Sequence, residues 1–155
     1  MQVEPAWLHF GSTFATVALL AGYEHGEAWL DAARWHVRDN VAHLTHALND
    51  ANVGVRALPL QATYLVWLDC TGLVERYHLQ GAEALEGFML AAGLVLSPGR
   101  EFDPTGASDA FMRLNAACPR DVLDEAVSRL RLAVLSTERP KTCLRSKCLR
   151  VPPDV

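Results

Sequence analysis

Residues 111–120 combine a short strand with a helix start, and this junction constrains the fold more than any other part of the chain. The stretch reads Phe-Met-Arg-Leu-Asn-Ala-Ala-Cys-Pro-Arg. Alternation places Phe111, Arg113 and Asn115 on one strand face, and Pro119 suits the first position of a helix. An unpaired guanidinium among apolar neighbours is costly, and its planar fork of donors fits a carboxylate bidentately. We therefore expect Arg113 to bind a carboxylate.

Three further strands are predicted before this junction. Residues 53–58 and 63–69 have strand character and are joined by a turn around Pro59. The second of them is apolar on both faces, so we expect a central strand that is covered on both sides. A third, short strand is predicted at 94–96, and a loop of unusual length follows at 97–109.

Four helices complete the pattern. Residues 13–22 are small and apolar and predict a short buried helix, 78–92 predict a third helix that Gly93 closes, and Pro119 begins the last one. The longest helix covers 27–49 and would measure roughly 34 Å. Its apolar stripe recurs at spacings of three and four: Leu30, Ala33, Val37, Val41, Leu44 and Leu48. The sequence thus predicts an α+β fold, a small and mostly antiparallel sheet covered by helices.

Composition and charge exclude several classes of function. The 155 residues have a net charge of −4, which divides into −7 over residues 1–135 and +3 over 136–155. An acidic body gives no electrostatic reason to bind nucleic acid. No apolar run is long enough to span a membrane, and residues 1–10 do not resemble a secretory signal. We expect a cytoplasmic protein whose segment 136–155 is a disordered basic tail.

Cysteines and histidines suggest a metal site only weakly. Four cysteines without a Cys-x-x-Cys pair indicate reduced thiols rather than a zinc site or a disulfide framework: Cys70, Cys118, Cys143 and Cys148. Four side chains of the long helix are possible metal ligands: His36, Asp39, His43 and His46. They lie off the apolar stripe, so we interpret them as a solvated helix face. Cys118, next to a helix start, is either a reactive thiol or, as its apolar neighbours favour, an inert one.

Four ordered blocks resemble one family. The first, residues 21–31, reads Ala-Gly-Tyr-Glu-His-Gly-Glu-Ala-Trp-Leu-Asp, and the second, 62–69, reads Ala-Thr-Tyr-Leu-Val-Trp-Leu-Asp. Leu-Ser-Pro-Gly at 96–99, followed by Phe102, is the third, and 111–120 is the fourth. Together they resemble the C-terminal part of fold-type I, pyridoxal-phosphate-dependent enzymes of the class I/II aminotransferase superfamily. The likeness is closest to the cystathionine β-lyase or C–S lyase branch related to the maltose-regulon modulator.

The resemblance implies a fold, a chemistry and a site. It covers residues 11–135 as an aminotransferase-like C-terminal domain, preceded by the segment 1–10. In such enzymes the cofactor forms a Schiff base with a lysine and then with the substrate, whose α-proton is removed. An arginine of the small domain holds the substrate α-carboxylate, which assigns that role to Arg113. The alternative is a structural ion pair of Arg113 with an acidic residue of the preceding loop. Tyr64 is either a second substrate contact or a core residue.

The resemblance also implies that this chain is incomplete as an enzyme. Its only lysines, Lys141 and Lys147, lie in the tail beyond the matching region. We therefore expect a fragment that neither binds pyridoxal 5'-phosphate nor catalyses by itself. The full-length enzyme would act on amino acids as a homodimer. The alternatives are a short interaction protein that pairs with itself or with a full-length relative, and a remnant without function. An isolated small domain should expose an apolar patch.

Overall fold

The computed structural model describes residues 12–137, which form five α-helices and one four-stranded sheet. The helices are α1 (Thr13–His25), α2 (Glu27–Ala51), α3 (Thr71–Tyr77), α4 (Gly81–Ala91) and α5 (Arg120–Thr137). The strands are β1 (Arg56–Ala57), β2 (Leu65–Asp69), β3 (Ser97–Pro98) and β4 (Phe111–Asn115). Every strand pair is antiparallel, in the order β1-β2-β4-β3. The predicted α+β class is confirmed.

The sheet has one buried face and one open face. Strand β2 lies between β1 and β4, so its predicted central position is confirmed. Val66 and Leu68 of β2 are buried, as are Met112 and Leu114 of β4. Leu65 and Trp67, on the opposite face, are only half-buried. The expectation that β2 is covered on both sides is therefore wrong, because helices pack against one face only.

The core joins that buried face to four helices, with Leu73 from α3 and Leu85 and Met89 from α4. Helix α2 contributes Leu44 and Leu48, and α5 contributes Leu123, Leu130 and Val134. The predicted long helix is confirmed and ends two residues later than expected, where Asn52 adopts a left-handed conformation at φ 48°. The predicted last helix is also confirmed, with its first residue directly after Pro119.

A buried polar side chain connects α2 to the turn between β4 and α5. Asn40 is fully buried, and its amide nitrogen donates to the carbonyls of Ala116 and Cys118, both at 2.8 Å. Its amide oxygen accepts the Arg120 Nε–H at 2.9 Å. His36, one turn earlier, lies 2.9 Å from the same Cys118 carbonyl. These bonds fix where β4 ends relative to α2, and hence the position of the strand that carries Arg113.

Helix α1 is where the sequence prediction of burial fails. It is a helix over a longer range than the predicted 13–22, but it has no buried residue. Phe14 and Tyr23 are 87% and 86% exposed. The exposed apolar side chains continue onto the first half of α2, and we call the whole set the α1–α2 apolar surface: Phe14, Val17, Leu19, Leu20, Tyr23, Trp29, Leu30 and Trp35. An apolar helix is buried only where a neighbouring element covers it. No element within residues 12–137 covers α1 in this way.

The region between β2 and β4 differs from the prediction in three details. Residues predicted as one helix from 78 form α4 only from Gly81, because His78 is left-handed and ends the unpredicted α3. The short strand is β3 at Ser97–Pro98 rather than 94–96. The predicted loop 97–109 contains β3 and a 3₁₀ turn, Gly99–Phe102.

The predicted tail, 136–155, lies mostly outside the described residues. Residues 136 and 137 belong to α5, which contradicts the start of the predicted tail. The remainder of that tail, 138–155, lies outside the described range, as do Cys143, Cys148 and the segment 1–10. Within 12–137, no helix has both the length and the apolar character needed to cross a membrane.

Candidate functional site

Arg113 lies at the middle of the open sheet face. Its register partners are Trp67 on β2 and Ser97 on β3, so strands flank it on both sides. The residue is half-buried, and alternation along β4 directs its neighbours Met112 and Leu114 into the core. The predicted face of the strand, with Phe111 and Asn115 beside Arg113, is confirmed.

An aromatic ring covers one side of the guanidinium. The Cζ atom of Arg113 lies 3.7 Å from the ring centroid of Phe102, at the end of the 3₁₀ turn. Phe102 in turn meets Trp67 edge to face, with centroids 6.2 Å apart, and Trp67 meets Phe111 at 6.4 Å. A cation over a ring face is attracted by the quadrupole of the ring. Phe102 therefore stacks on Arg113, Trp67 supports the Phe102 ring, and Phe111 packs against Trp67 without stacking on Arg113.

Arg113 forms no ion pair with any described residue. The loop carboxylates Glu101, Asp103 and Asp109 were the alternative partners, and none of them pairs with it. Asp103 instead accepts the backbone N–H and the hydroxyl of Thr105 at 2.9 and 2.6 Å. These hydrogen bonds, led by that of the Thr105 side chain, lower the pKa of Asp103. A structural ion pair within the described residues does not explain why this strand carries an arginine.

An open cleft of about 410 Å³ borders Arg113. Its other walls come from the β1–β2 connection and from β2: Leu58, Pro59, Leu60, Gln61, Ala62, Thr63, Leu65 and Trp67. Arg113 is the only charged side chain among these described lining residues. A half-buried cation in an otherwise uncharged cleft is suited to bind a small anion, and its fork of donors favours a carboxylate.

Tyr64 is not part of this cleft. It precedes β2, its carbonyl oxygen accepts the Ala116 N–H at 2.8 Å, and its side chain is 47% exposed. The cleft is lined by its sequence neighbours Thr63 and Leu65 instead. The structure thus does not bring Tyr64 and Arg113 together in one described pocket, and a substrate contact by Tyr64 stays a prediction.

Two residues belong to the site although the sequence predicted no role for them: Phe102, which contacts Arg113, and Trp67, which lines the cleft. Both belong to blocks that carry the family resemblance, so the signal was present. Their function depends on the loop 97–109 folding back onto β4, which register and hydropathy do not predict.

The remaining candidate clusters have separate partners. His43 contacts Asp124, Asp39 pairs with Arg120, and His36 approaches the Cys118 carbonyl. No metal-binding group of three such side chains occurs among residues 12–137. Burial raises the pKa of the Cys70 thiol to about 12, and it also raises that of Cys118, helped by the nearby Asp121 carboxylate.

A small antiparallel sheet, with helices on one face and an arginine at an open cleft on the other, defines a domain of the α+β class. The chain belongs to the aminotransferase class I and II family, whose family model matches residues 4–130. The family predicted from the four sequence blocks is confirmed.

Individual proteins similar to this chain include cystathionine β-lyases and C–S lyases. Cystathionine beta-lyase PatB of Bacillus subtilis is 30% identical over 123 residues, which cover 79% of this chain and 30% of PatB. Protein MalY of Escherichia coli is 33% identical over 120 residues, covering 77% of this chain and 29% of MalY. The PLP-bound C–S lyase from Staphylococcus hominis superposes with a TM-score of 0.73 at 25% identity, covering 86% of this chain and 35% of that one. The chain thus spans about a third of the length of these relatives.

The described residues do not fit the cofactor of these enzymes by themselves. A Schiff base to pyridoxal phosphate needs a lysine amine. Both lysines of the chain, Lys141 and Lys147, lie outside residues 12–137. The described domain presents Arg113 at an open cleft and has no lysine to which the cofactor could attach.

Proposed function

We propose that this chain is the substrate-carboxylate-binding domain of a pyridoxal-phosphate-dependent C–S β-lyase or aminotransferase. Arg113 binds the α-carboxylate of the amino-acid substrate. The observation that carries this proposal is a guanidinium that has no counter-ion among residues 12–137, at a cleft without an acidic residue among its described walls. A bidentate carboxylate would supply the missing negative charge in the plane of the guanidinium.

The role of the domain is to bind and orient. The cofactor, where it is bound, supplies the electron sink for the bond-breaking chemistry. Arg113 would fix one end of the substrate, and the apolar cleft walls, among them Leu58, Leu65 and Trp67, would keep water from its other side. Fixing the carboxylate limits the rotation of the substrate to one axis, which is how a distant binding group contributes to rate.

Catalysis is not expected from the described domain alone, because it has no lysine for the Schiff base. This expectation stays a prediction, as do the domain limits 11–135, the homodimeric assembly of a longer protein, its cytoplasmic location and the Tyr64 contact. The names of the relatives support a C–S lyase over a transaminase for the longer protein.

The carboxylate role predicts specific binding by the chain itself. S-methyl-L-cysteine should shift the Arg113 Nε–H resonance of isotope-labelled protein in a saturable manner. We expect a Kd in the millimolar range, about −4 kcal/mol, because a single bidentate pair supplies most of the affinity. The carboxamide of the same amino acid should cause no shift, since it lacks the charge. Arg113→Ala should abolish binding. Because this variant lacks the Arg113 Nε–H, its binding is measured from the backbone amide resonances of the residues that line the cleft.

Arg100→Ala is the matched control. Arg100 lies in the 3₁₀ turn, two residues before Phe102, but pairs with Glu83 at 3.4 Å and does not line the cleft. This variant should bind S-methyl-L-cysteine as the wild type does. Equal binding of the acid and its carboxamide, or unchanged binding by Arg113→Ala, would refute the carboxylate role.

A further inference from the structure

We propose that Phe102 is a positioning residue that holds the Arg113 guanidinium in the orientation needed to receive a carboxylate. This inference rests on the proposed function of Arg113, and it assigns a role to a side chain that itself contacts no substrate. It follows from the stacking of the two side chains, the construction of the loop that carries Phe102, and the lack of an ion-pair partner for Arg113 within the described part of the chain.

Stacking on Phe102 leaves the N–H donors of the Arg113 guanidinium free. The Cζ atom of Arg113 lies over the Phe102 ring, 3.7 Å from its centroid. At so short a distance the flat side of the guanidinium must face the ring, because an N–H pointing at the ring would hold Cζ farther away. All five N–H donors of a guanidinium lie in its plane, so a ring above that plane uses none of them. A carboxylate approaches in the plane and takes two donors at once. Ring and carboxylate can therefore be bound together.

The loop holds Phe102 from several directions. Its 3₁₀ turn follows β3, whose Ser97 is the register partner of Arg113, so the turn begins beside the residue that it covers. Gly99 permits this close return, because a Cβ there would lie 2.7 Å from the Ser108 carbonyl oxygen. Trp67 supports the Phe102 ring edge to face. The ring is thus placed by backbone pairing as well as by side-chain packing.

Holding the guanidinium has a physical benefit in the absence of an ion pair. A long arginine side chain has many rotamers, and binding a ligand normally removes that freedom. No described carboxylate fixes Arg113, and an ion pair there would compete with the substrate. An aromatic ring attracts the cation without occupying its donors. Phe102 therefore restricts the Arg113 side chain and leaves its N–H donors free for a carboxylate.

The test compares three changes at Phe102 in the full chain. Phe102→Leu keeps an apolar side chain but removes the ring, and we expect Kd for S-methyl-L-cysteine to rise about two- to fivefold, the effect of a partly exposed cation–π contact. Phe102→Ala should weaken binding at least as much. Phe102→Tyr retains the ring face and should bind as the wild type does. The Arg113 Hε resonance should lose its ring-current shift in the Leu and Ala variants and keep it in the Tyr variant.

Phe111→Leu is the matched control, since Phe111 packs against Trp67 on the same face but does not stack on Arg113. Its Kd should stay at the wild-type value, which separates positioning from general packing. Wild-type affinity in Phe102→Leu, or equal losses in Phe102→Leu and Phe111→Leu, would overturn the positioning role alone. Absence of carboxylate binding by the wild type would instead overturn the proposed function, and this role with it.

Discussion

Single side chains in this domain take their chemistry from their surroundings. Arg113 lies on β4 and Cys70 directly follows β2, yet one faces an open cleft and the other has no exposed surface. Burial disfavours the thiolate because a charge loses its hydration, and the neighbouring Asp69 carboxylate adds repulsion. The two residues illustrate how the same sheet presents a charge on one face and suppresses ionisation on the other.

Cys70 should therefore be unreactive in the native protein. With a pKa of about 12, its thiolate fraction stays very small throughout pH 7–9, and the buried sulfur is also inaccessible. We expect no alkylation of Cys70 by iodoacetamide under native conditions and complete alkylation in denaturant, as measured by peptide mass spectrometry. Labelling of native Cys70 at the rate seen in the unfolded chain would contradict this burial.

At the scale of secondary-structure elements, the packing of α2 against the start of α5 depends on the side-chain amide of Asn40. Asn40 satisfies two carbonyls from the turn after β4 and one donor of Arg120. Without these bonds the buried Ala116 carbonyl and the partly buried Cys118 carbonyl would have fewer partners, at the end of the strand that carries Arg113. This is a polar contact that determines geometry inside an otherwise apolar interface.

Replacement of Asn40 should destabilise the fold. Asn40→Ala leaves the Ala116 carbonyl and the Arg120 Nε–H without this partner, and we expect the free energy of unfolding to fall by about 2–3 kcal/mol. Urea unfolding followed by circular dichroism measures the loss. Asn49→Ala on the same helix is the control, because Asn49 is exposed, and it should change stability by less than about 0.5 kcal/mol. Equal effects of the two variants would show that the Asn40 bonds contribute little.

At the scale of the whole molecule, the α1–α2 apolar surface is the dominant feature. Eight apolar side chains, four of them aromatic, are exposed on two consecutive helices. The expected apolar patch of an isolated small domain is therefore present. Relatives about three times as long have further chain that could cover such a surface, whereas residues 12–137 leave it open.

This surface should make the isolated chain self-associate. Sedimentation velocity should give an average mass that rises with concentration, because contact between copies removes apolar area from water. The double variant Val17→Lys, Leu20→Glu changes two exposed positions one turn apart on α1 and should reduce the association. Leu132→Glu, at an exposed position on α5, should not. A wild-type chain that stays monomeric at all concentrations, or equal behaviour of the two variants, would contradict this prediction.

The sequence by itself determined the class of fold and the family. Periodicity located α2 and α5, alternation located β2 and β4, and four ordered blocks located the family. An arginine in an apolar strand indicated a carboxylate because its electrostatic cost is independent of the details of packing. These inferences depend on local patterns, which are encoded by residues close together in the chain.

Only the tertiary structure decided what covers each surface and what surrounds Arg113. Burial is a property of neighbours distant in sequence, so an apolar α1 was predicted to be buried and is exposed. The short α3 has too few residues for a periodic hydrophobic signal. It begins at Thr71, whose backbone N–H donates to the Asp69 side chain. The stacking of Phe102 on Arg113 joins residues eleven positions apart through a loop whose return depends on β3 pairing and on the space at Gly99. Hydropathy does not encode that path, because it arises from the backbone contacts of the folded sheet.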